Sequence, residues 1–402
     1  MRENQTIVTE ARGPSAPALR GLVAYFLRLG ALGFGGPVAL ANAMRRDLVE
    51  TRGWITEEEY DSGLALSAAC PGPLAYQLGV YCGYIRFGVG GGLAIAVAFG
   101  LPPFLIVTTA AYFYVRFTGH WQLGALFYGI APVVVALIAK ACWNLGKRTL
   151  RTDRLAWLFA IVACGVTVIV EKELAVMFLV AGLLGAFLFA QRPRQRQPAA
   201  AQPKATRNAP RNAMILGPAA VVSGATTKLF LFFFKTGLLV FGSGLVIVPF
   251  LKTQVVDQYH WLNNRQFLDS VAMGMMSPGP VVITATFVGY LLNGVAGALA
   301  ATLGIFAGPV LITVLATPIL LRFHKQPRVT GFIRGVGVTV VGVLVGTTYL
   351  IGKEAIGDWL TLAISVMSLV AITCWKKLPE PVVILAGGVL GLLAYQALPP
   401  RS

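Results

Sequence analysis

Two tripeptides carry the clearest chemistry in this chain: Pro71-Gly72-Pro73 and Pro278-Gly279-Pro280. Each removes two backbone donors and fixes two φ angles, so no regular helix runs through it. The second proline of each suits the first position of a new helix, where its missing N–H costs nothing. A helix that starts at Pro73 or Pro280 leaves its first N–H groups unpaired and presents the positive end of its dipole. In apolar surroundings that is an anion site. Gln77 and Thr284, at matching positions one turn in, add neutral donors. The breaks Gly35-Gly36-Pro37 and Gly242-Ser243-Gly244 can present backbone N–H groups in the same way. A lone Pro-Gly-Pro is more often a kink; duplication and nearby cations favour the site.

Those cations are Arg28 with Lys235 and Arg45 with Lys252. Arg28 and Lys235 precede the glycine breaks by one or two turns, in otherwise apolar stretches. Ionisable groups there are costly and mark functional sites by default; the competing reading is snorkelling to the near interface. No Asp or Glu lies centrally in any apolar stretch, which argues for an anionic rather than a cationic cargo. Proton coupling needs a titratable group, and Glu50 with Asp257 is the matched acidic pair. Glu57, Glu58, Glu59 and Asp61 read as a solvated face, with Thr56 and Glu59 spaced as a capping box.

The elements that position these residues are two copies of one unit. Pro278 follows Pro71 by 207 positions, and the same offset aligns Arg28 with Lys235 and Gly30 with Gly237. It also aligns Trp54 with Trp261 and Pro102 with Pro309. Chance matches in apolar sequence produce Leu and Val, not Trp and Pro-Gly-Pro in one register.

The chain has 402 residues, 56% apolar and 12% charged, with mean hydropathy +0.72. Soluble domains carry about 25% charged residues. The composition excludes a soluble enzyme, a disordered chain and a disulfide scaffold. Apolar stretches reach the roughly 18 residues that cross a bilayer. The fold class is therefore an all-α polytopic membrane protein of two homologous repeats, with ten to thirteen membrane segments and broken or re-entrant helices.

Candidate spans fall at 22–44, 63–84, 90–115, 123–145, 155–170 and 174–190, and again from 227 to 398. Residues 1–20 read as a polar tail, 21–190 as the first repeat, 191–222 as a basic Pro/Ala-rich linker and 223–402 as the second repeat. The net charge of +17 sits in loops and linker, as expected for cytoplasmic segments; nucleic acid is not an expected partner. The five cysteines show no CxxC spacing and the three histidines are scattered, so no metal, cofactor or catalytic group is expected.

Equivalent loops carry opposite charge. Lys147, Arg148, Arg151 and Arg154 outnumber Asp153, whereas Glu354 and Asp358 outnumber Lys353. Retained cations set topology, so the repeats read as inverted. Twelve full crossings would leave them parallel. Inversion then needs one short segment that stops short, or an added one near 214–226.

Together these residues resemble the chromate ion transporter family in its long two-domain form. The shared pattern is Phe34-Gly35-Gly36-Pro37, then Arg45-Arg46 through Trp54, then Pro71-Gly72-Pro73. The second copy departs at Phe241-Gly242-Ser243-Gly244. The resemblance spans nearly the whole chain. It implies a multi-pass protein of the cell (inner) membrane that exports chromate, confers chromate resistance and draws on the proton-motive force. Sulfate is the natural competitor. The two Pro-Gly-Pro ends would meet near the midplane and hold one dianion with these cations. A membrane potential favours its expulsion by about 2.3 kcal/mol per charge per 100 mV. A carrier of another anion, a membrane enzyme and a scaffold are the alternatives; whether the chain forms a homodimer is open.

Overall fold

Backbone in lipid must satisfy its own hydrogen bonds, and a chain this apolar does so as helices. The computed structural model describes residues 18–34, 36–117, 120–150, 153–170, 175–189, 224–239, 247–323, 327–375 and 379–395. Among them are fourteen α-helices and no strand. The first repeat holds α1 (Leu19–Leu32), α2 (Gly36–Met44), α3 (Glu57–Ala69), α4 (Leu74–Phe117), α5 (Trp121–Thr149), α6 (Arg154–Val170) and α7 (Ala175–Leu188). The second holds α8 (Gly224–Leu239), α9 (Ile247–Leu251), α10 (Asn264–Met276), α11 (Thr284–Phe323), α12 (Pro327–Ala355), α13 (Trp359–Cys374) and α14 (Glu380–Tyr395).

The backbone repeats as closely as the sequence. π-Helical turns at Arg45–Thr51 and Lys252–Gln258 continue α2 and α9. Capping boxes Thr56/Glu59 and Asn263/Gln266 start α3 and α10. Between them the chain turns through the left-handed region, at Gly53 (φ 58°) and His260 (φ 51°).

Each repeat opens with two re-entrant hairpins. A straight helix would hold residues 21 and 54 about 50 Å apart. Instead Gly21 faces the Trp54 ring, and Arg52 lies 5.5 Å over Tyr25. The chain therefore reverses at the glycine break before α2. Likewise, Gly63 of α3 lies against Tyr81 of α4. Arg86 donates to the Trp54 carbonyl at 2.8 Å and to Glu59 at 2.5 Å. Pro-Gly-Pro is the tip of this second hairpin. The expected crossings at 22–44 and 63–84 are thus corrected to hairpins that enter and leave at one end. Hydropathy is the same for a segment that crosses and one that returns, and glycine and proline breaks permit the return.

Within α4 the chain reverses again at Phe87 and Gly88 (φ 64°). The arm 89–117 runs back for about 43 Å, with Tyr76 donating to the Ala96 carbonyl at 2.9 Å. In α11 the same reversal falls at Asn293 and Gly294 (φ 55°), and the Thr286 and Thr302 hydroxyls meet at 2.6 Å. Leu93, Val97, Leu101 and Leu105 stand at i, i+4 spacing, exposed on one outer face. Leu299, Leu303, Leu311 and Leu315 form the matching stripe. These are lipid-facing surfaces.

The second repeat enters from the opposite end. Gly279 packs on Pro103 near the middle of the long arm. Farther along that arm, Tyr114 meets Phe287 (5.2 Å between rings) and Asp269 (2.6 Å), near the roots of the second repeat's hairpin. The far end of one repeat's long arm therefore lies at the root of the other.

The repeats are also intertwined. α5 packs on α13 and α14, and α12 packs on α6 and α7. Close glycine contacts hold both exchanges, Gly129 with Gly387 and Gly391, and Gly185 with Gly331 and Gly335. α6 and α7 leave and return to one end: Asp153 pairs with Arg334 at 2.9 Å, and Phe189 lies 4.7 Å beneath the same guanidinium. Thr226 sits at the other end, beside Asn293. The short segments α6 and α7 therefore do not provide the odd passage that inversion needs. Phe189 and Thr226 lie at opposite ends, and the basic linker lies outside the described residues.

Candidate anion site at the hairpin tips

The tips meet at the centre. Both Pro-Gly-Pro motifs interrupt helices, and they share a small cavity lined by Pro37, Leu40, Pro73, Ala75, Gly279, Pro280 and Val281. Three of these prolines mark helix starts. Pro37 lies in the first turn of α2, Pro73 immediately precedes α4, and Pro280 immediately precedes a 3-10 turn at Val281–Ile283. In α4 the first amide to bond back is that of Gln77, to the Pro73 carbonyl at 3.0 Å. The amides of 74–76 therefore have no acceptor within the helix. In the second copy Ile283 bonds back to Pro280 at 3.0 Å, a tighter turn that leaves two amides in the same condition. Each helix end carries about half a positive charge.

The two repeats are tied at this point. The Gly279 N–H donates to the Gly33 carbonyl at 2.8 Å, using one donor to cap the last turn of α1. Tyr76 stacks on Phe306 with ring centroids 4.2 Å apart. Gly72, at φ 134°, fits between Gln77 and Pro309.

Gln77 and Thr284 differ from expectation. Gln77 is fully buried, and its Nε2 donates to the Pro71 carbonyl at 2.7 Å. The Thr284 hydroxyl donates to the Val281 carbonyl at 2.9 Å. Gln77 braces a Pro-Gly-Pro carbonyl, whereas Thr284 bonds a carbonyl of the following turn that its own backbone N–H also reaches. Gln77 Oε1 remains buried without a hydrogen bond. Pro278 is buried, and its carbonyl accepts from Ser277 Oγ at 3.0 Å.

The cations lie elsewhere. α1 buries Leu22, Tyr25, Phe26 and Gly30, which turns Arg28 outward; Arg28 and its counterpart Lys235 are exposed. Arg45 pairs with Glu57 and, at 3.5 Å, with Asp61, so it belongs to the hairpin root. Lys252 is buried, and Asn264 and Leu268 stand where Arg45 has its two acids. Gly36 begins α2 with φ 75°. Gly35, Gly242 and Ser243 lie outside the described residues.

The acids also differ. Glu50 and Asp257 are exposed on the π-helical turns. Among the described residues the buried acid is Asp269, 3% exposed, on the inner face of α10. It opens the apolar stretch that follows it, so a search for acids central to a span passes over it. Its helical register with Ser270 and Ala272, both fully buried, was the available signal.

Inverted, intertwined repeats whose broken helices meet inside an apolar bundle define a polytopic membrane protein of the repeat-built kind. Sequence comparison gives the family. The pattern described as "Chromate transporter" matches residues 20–186 and 227–392, and the chain belongs to the chromate transporter family. A chromate transport protein of Cupriavidus metallidurans is 42% identical over 388 residues, 94% of each chain. A probable chromate transport protein of Synechococcus elongatus is 39% identical over 94% of this chain and 96% of its own. A chromate transport protein of Pseudomonas aeruginosa is 33% identical over 93% and 92%. No solved structure matches the chain.

Proposed function

We propose that the protein is a secondary transporter that exports chromate from the cytoplasm across the cell membrane and confers chromate resistance. The observation that carries this reading is the convergence of three helix starts, at Pro37, Pro73 and Pro280, on one cavity. The helix ends of α1, α3 and α10 reach the same tips and offset these dipoles, so the attraction for a dianion is local, made by the unpaired amides at the three helix starts. The anion binds between Pro71-Gly72-Pro73 and Pro278-Gly279-Pro280, against backbone amides rather than side-chain cations. Rocking of the hairpin tips against the long arms alternates access. The names of the relatives support chromate as cargo.

Backbone amides read charge and shape, so sulfate competes at the same site. The test is counterflow in proteoliposomes loaded with chromate, with chromate, sulfate or a monovalent anion outside. Chromate exchange that sulfate inhibits and chloride does not is the expected result. Failure of chromate to exchange overturns the reading.

A further inference from the structure

We propose that Asp269 is the proton-carrying group of the transport cycle, held by Tyr114 of the opposite repeat. The inference rests on the reading of the protein as a chromate exporter. Asp269 is 3% exposed and accepts a hydrogen bond from the Tyr114 hydroxyl at 2.6 Å. A buried carboxylate in a membrane protein is costly and marks a functional position by default.

Of the charged and titratable groups on the elements packed around α10, two act on this carboxyl. One is Tyr114, on α4; the other is Arg265, one turn earlier on α10 itself. Arg265 is exposed, so the acid lies one helical turn below the end of the bundle.

The fold does not require this pair. The first repeat builds the same hairpin with Ser62 at the position of Asp269, and Leu321 stands at the position of Tyr114. One copy carries the buried pair and the other builds the same hairpin without it, so the pair is open to a role in the cycle.

Its placement suits coupling. α10 leads to the tip at Pro278, about 13 Å further on. Tyr114 lies on the long arm whose Pro103 packs against Gly279. The hairpin of one repeat is therefore linked to the long arm of the other at the tip by Gly279 and Pro103 and at the root by this pair. When the carboxylate is ionised, Tyr114 donates to it. When it takes up a proton, the new O–H can donate to the tyrosine oxygen, since a phenol serves in either role. The step is the addition of one proton to one carboxylate, and its reversal on the other side.

The test compares two assays on reconstituted protein. A one-unit pH step is worth about 1.4 kcal/mol per coupled proton, or about tenfold in accumulation. Wild type should accumulate chromate accordingly when the step is applied. Asp269→Asn keeps the size and the bond from Tyr114; it should abolish accumulation yet retain counterflow, now independent of pH. Asp269→Glu should restore accumulation. Asp269→Asn that accumulates like wild type overturns the proposal. So does loss of both assays in a variant that still elutes as a single folded species, because the acid is then structural. Absence of counterflow in wild type is the separate failure of the exporter reading.

Discussion

Replacing Gly72 by alanine tests whether the tip geometry is as tight as the structure places it. Gly72 has φ 134°, a conformation that costs a residue with Cβ about 1–3 kcal/mol. A Cβ built there lies 2.7 Å from Gln77 Cδ and Nε2, and 2.7 Å from Pro309 Cβ. Gln77 can swing aside, at the loss of its bond to Pro71, about 1 kcal/mol. Pro309 sits inside α11 and cannot, so overpacking adds about 1–3 kcal/mol. The sum is about 3–7 kcal/mol. Two controls separate the terms. Gly88 has φ 64° with open space at its Cβ, so Gly88→Ala costs only the backbone strain, about 1–2 kcal/mol. Gly90 has open space and no positive φ, so Gly90→Ala stabilises the helix by about 0.5–1 kcal/mol. Thermal unfolding in detergent should rank the variants Gly90→Ala, wild type, Gly88→Ala, Gly72→Ala in falling stability. Gly72→Ala should also lose chromate counterflow. If Gly72→Ala unfolds with Gly90→Ala and exchanges chromate normally, the packing of Gly72 on Pro309, and the meeting of tips it supports, is wrong.

Three further outcomes follow from the same geometry. In a Cys374→Ser background, Lys147→Cys and Lys353→Cys occupy exposed, equivalent positions at opposite ends, and an impermeant maleimide should label only one in sealed cells; labelling of both would refute inversion. Arg86→Gln leaves the Trp54 carbonyl and Glu59 without their shared donor and should cost about 1–3 kcal/mol in unfolding free energy; no change would mean the hairpin root is not pinned there. Arg28→Gln and Lys235→Gln alter exposed residues away from the cavity, so chromate counterflow per mole of protein should match wild type; a loss confined to transport would return both to the anion path.

Composition and the 207-residue offset made the class and the duplication legible, because Trp, Pro-Gly-Pro and capping residues occupy positions that backbone geometry demands. The reversed charge of loops near 147 and 353 made inversion legible through topology. Direction within the membrane was not legible. Gly21 and Trp54, or Gly63 and Tyr81, touch only because the chain turns back, and no local pattern separates a turn back from a crossing. Partners were not legible either: Arg45 lies beside Glu57 and Asp61 through a fold of the hairpin root, and Arg28 points outward through the helical phase of α1. Asp269 escaped because a repeat comparison rewards matched residues, and this one has no match.

Inversion of one motif brings helix starts together head to head, a surface that neither repeat supplies alone. A device of this kind would move anions in whichever direction the gradients across the membrane set. Coupling to a proton gradient requires a titratable group, and among the buried groups that tie one repeat to the other, the Asp269–Tyr114 pair is the one proposed for it.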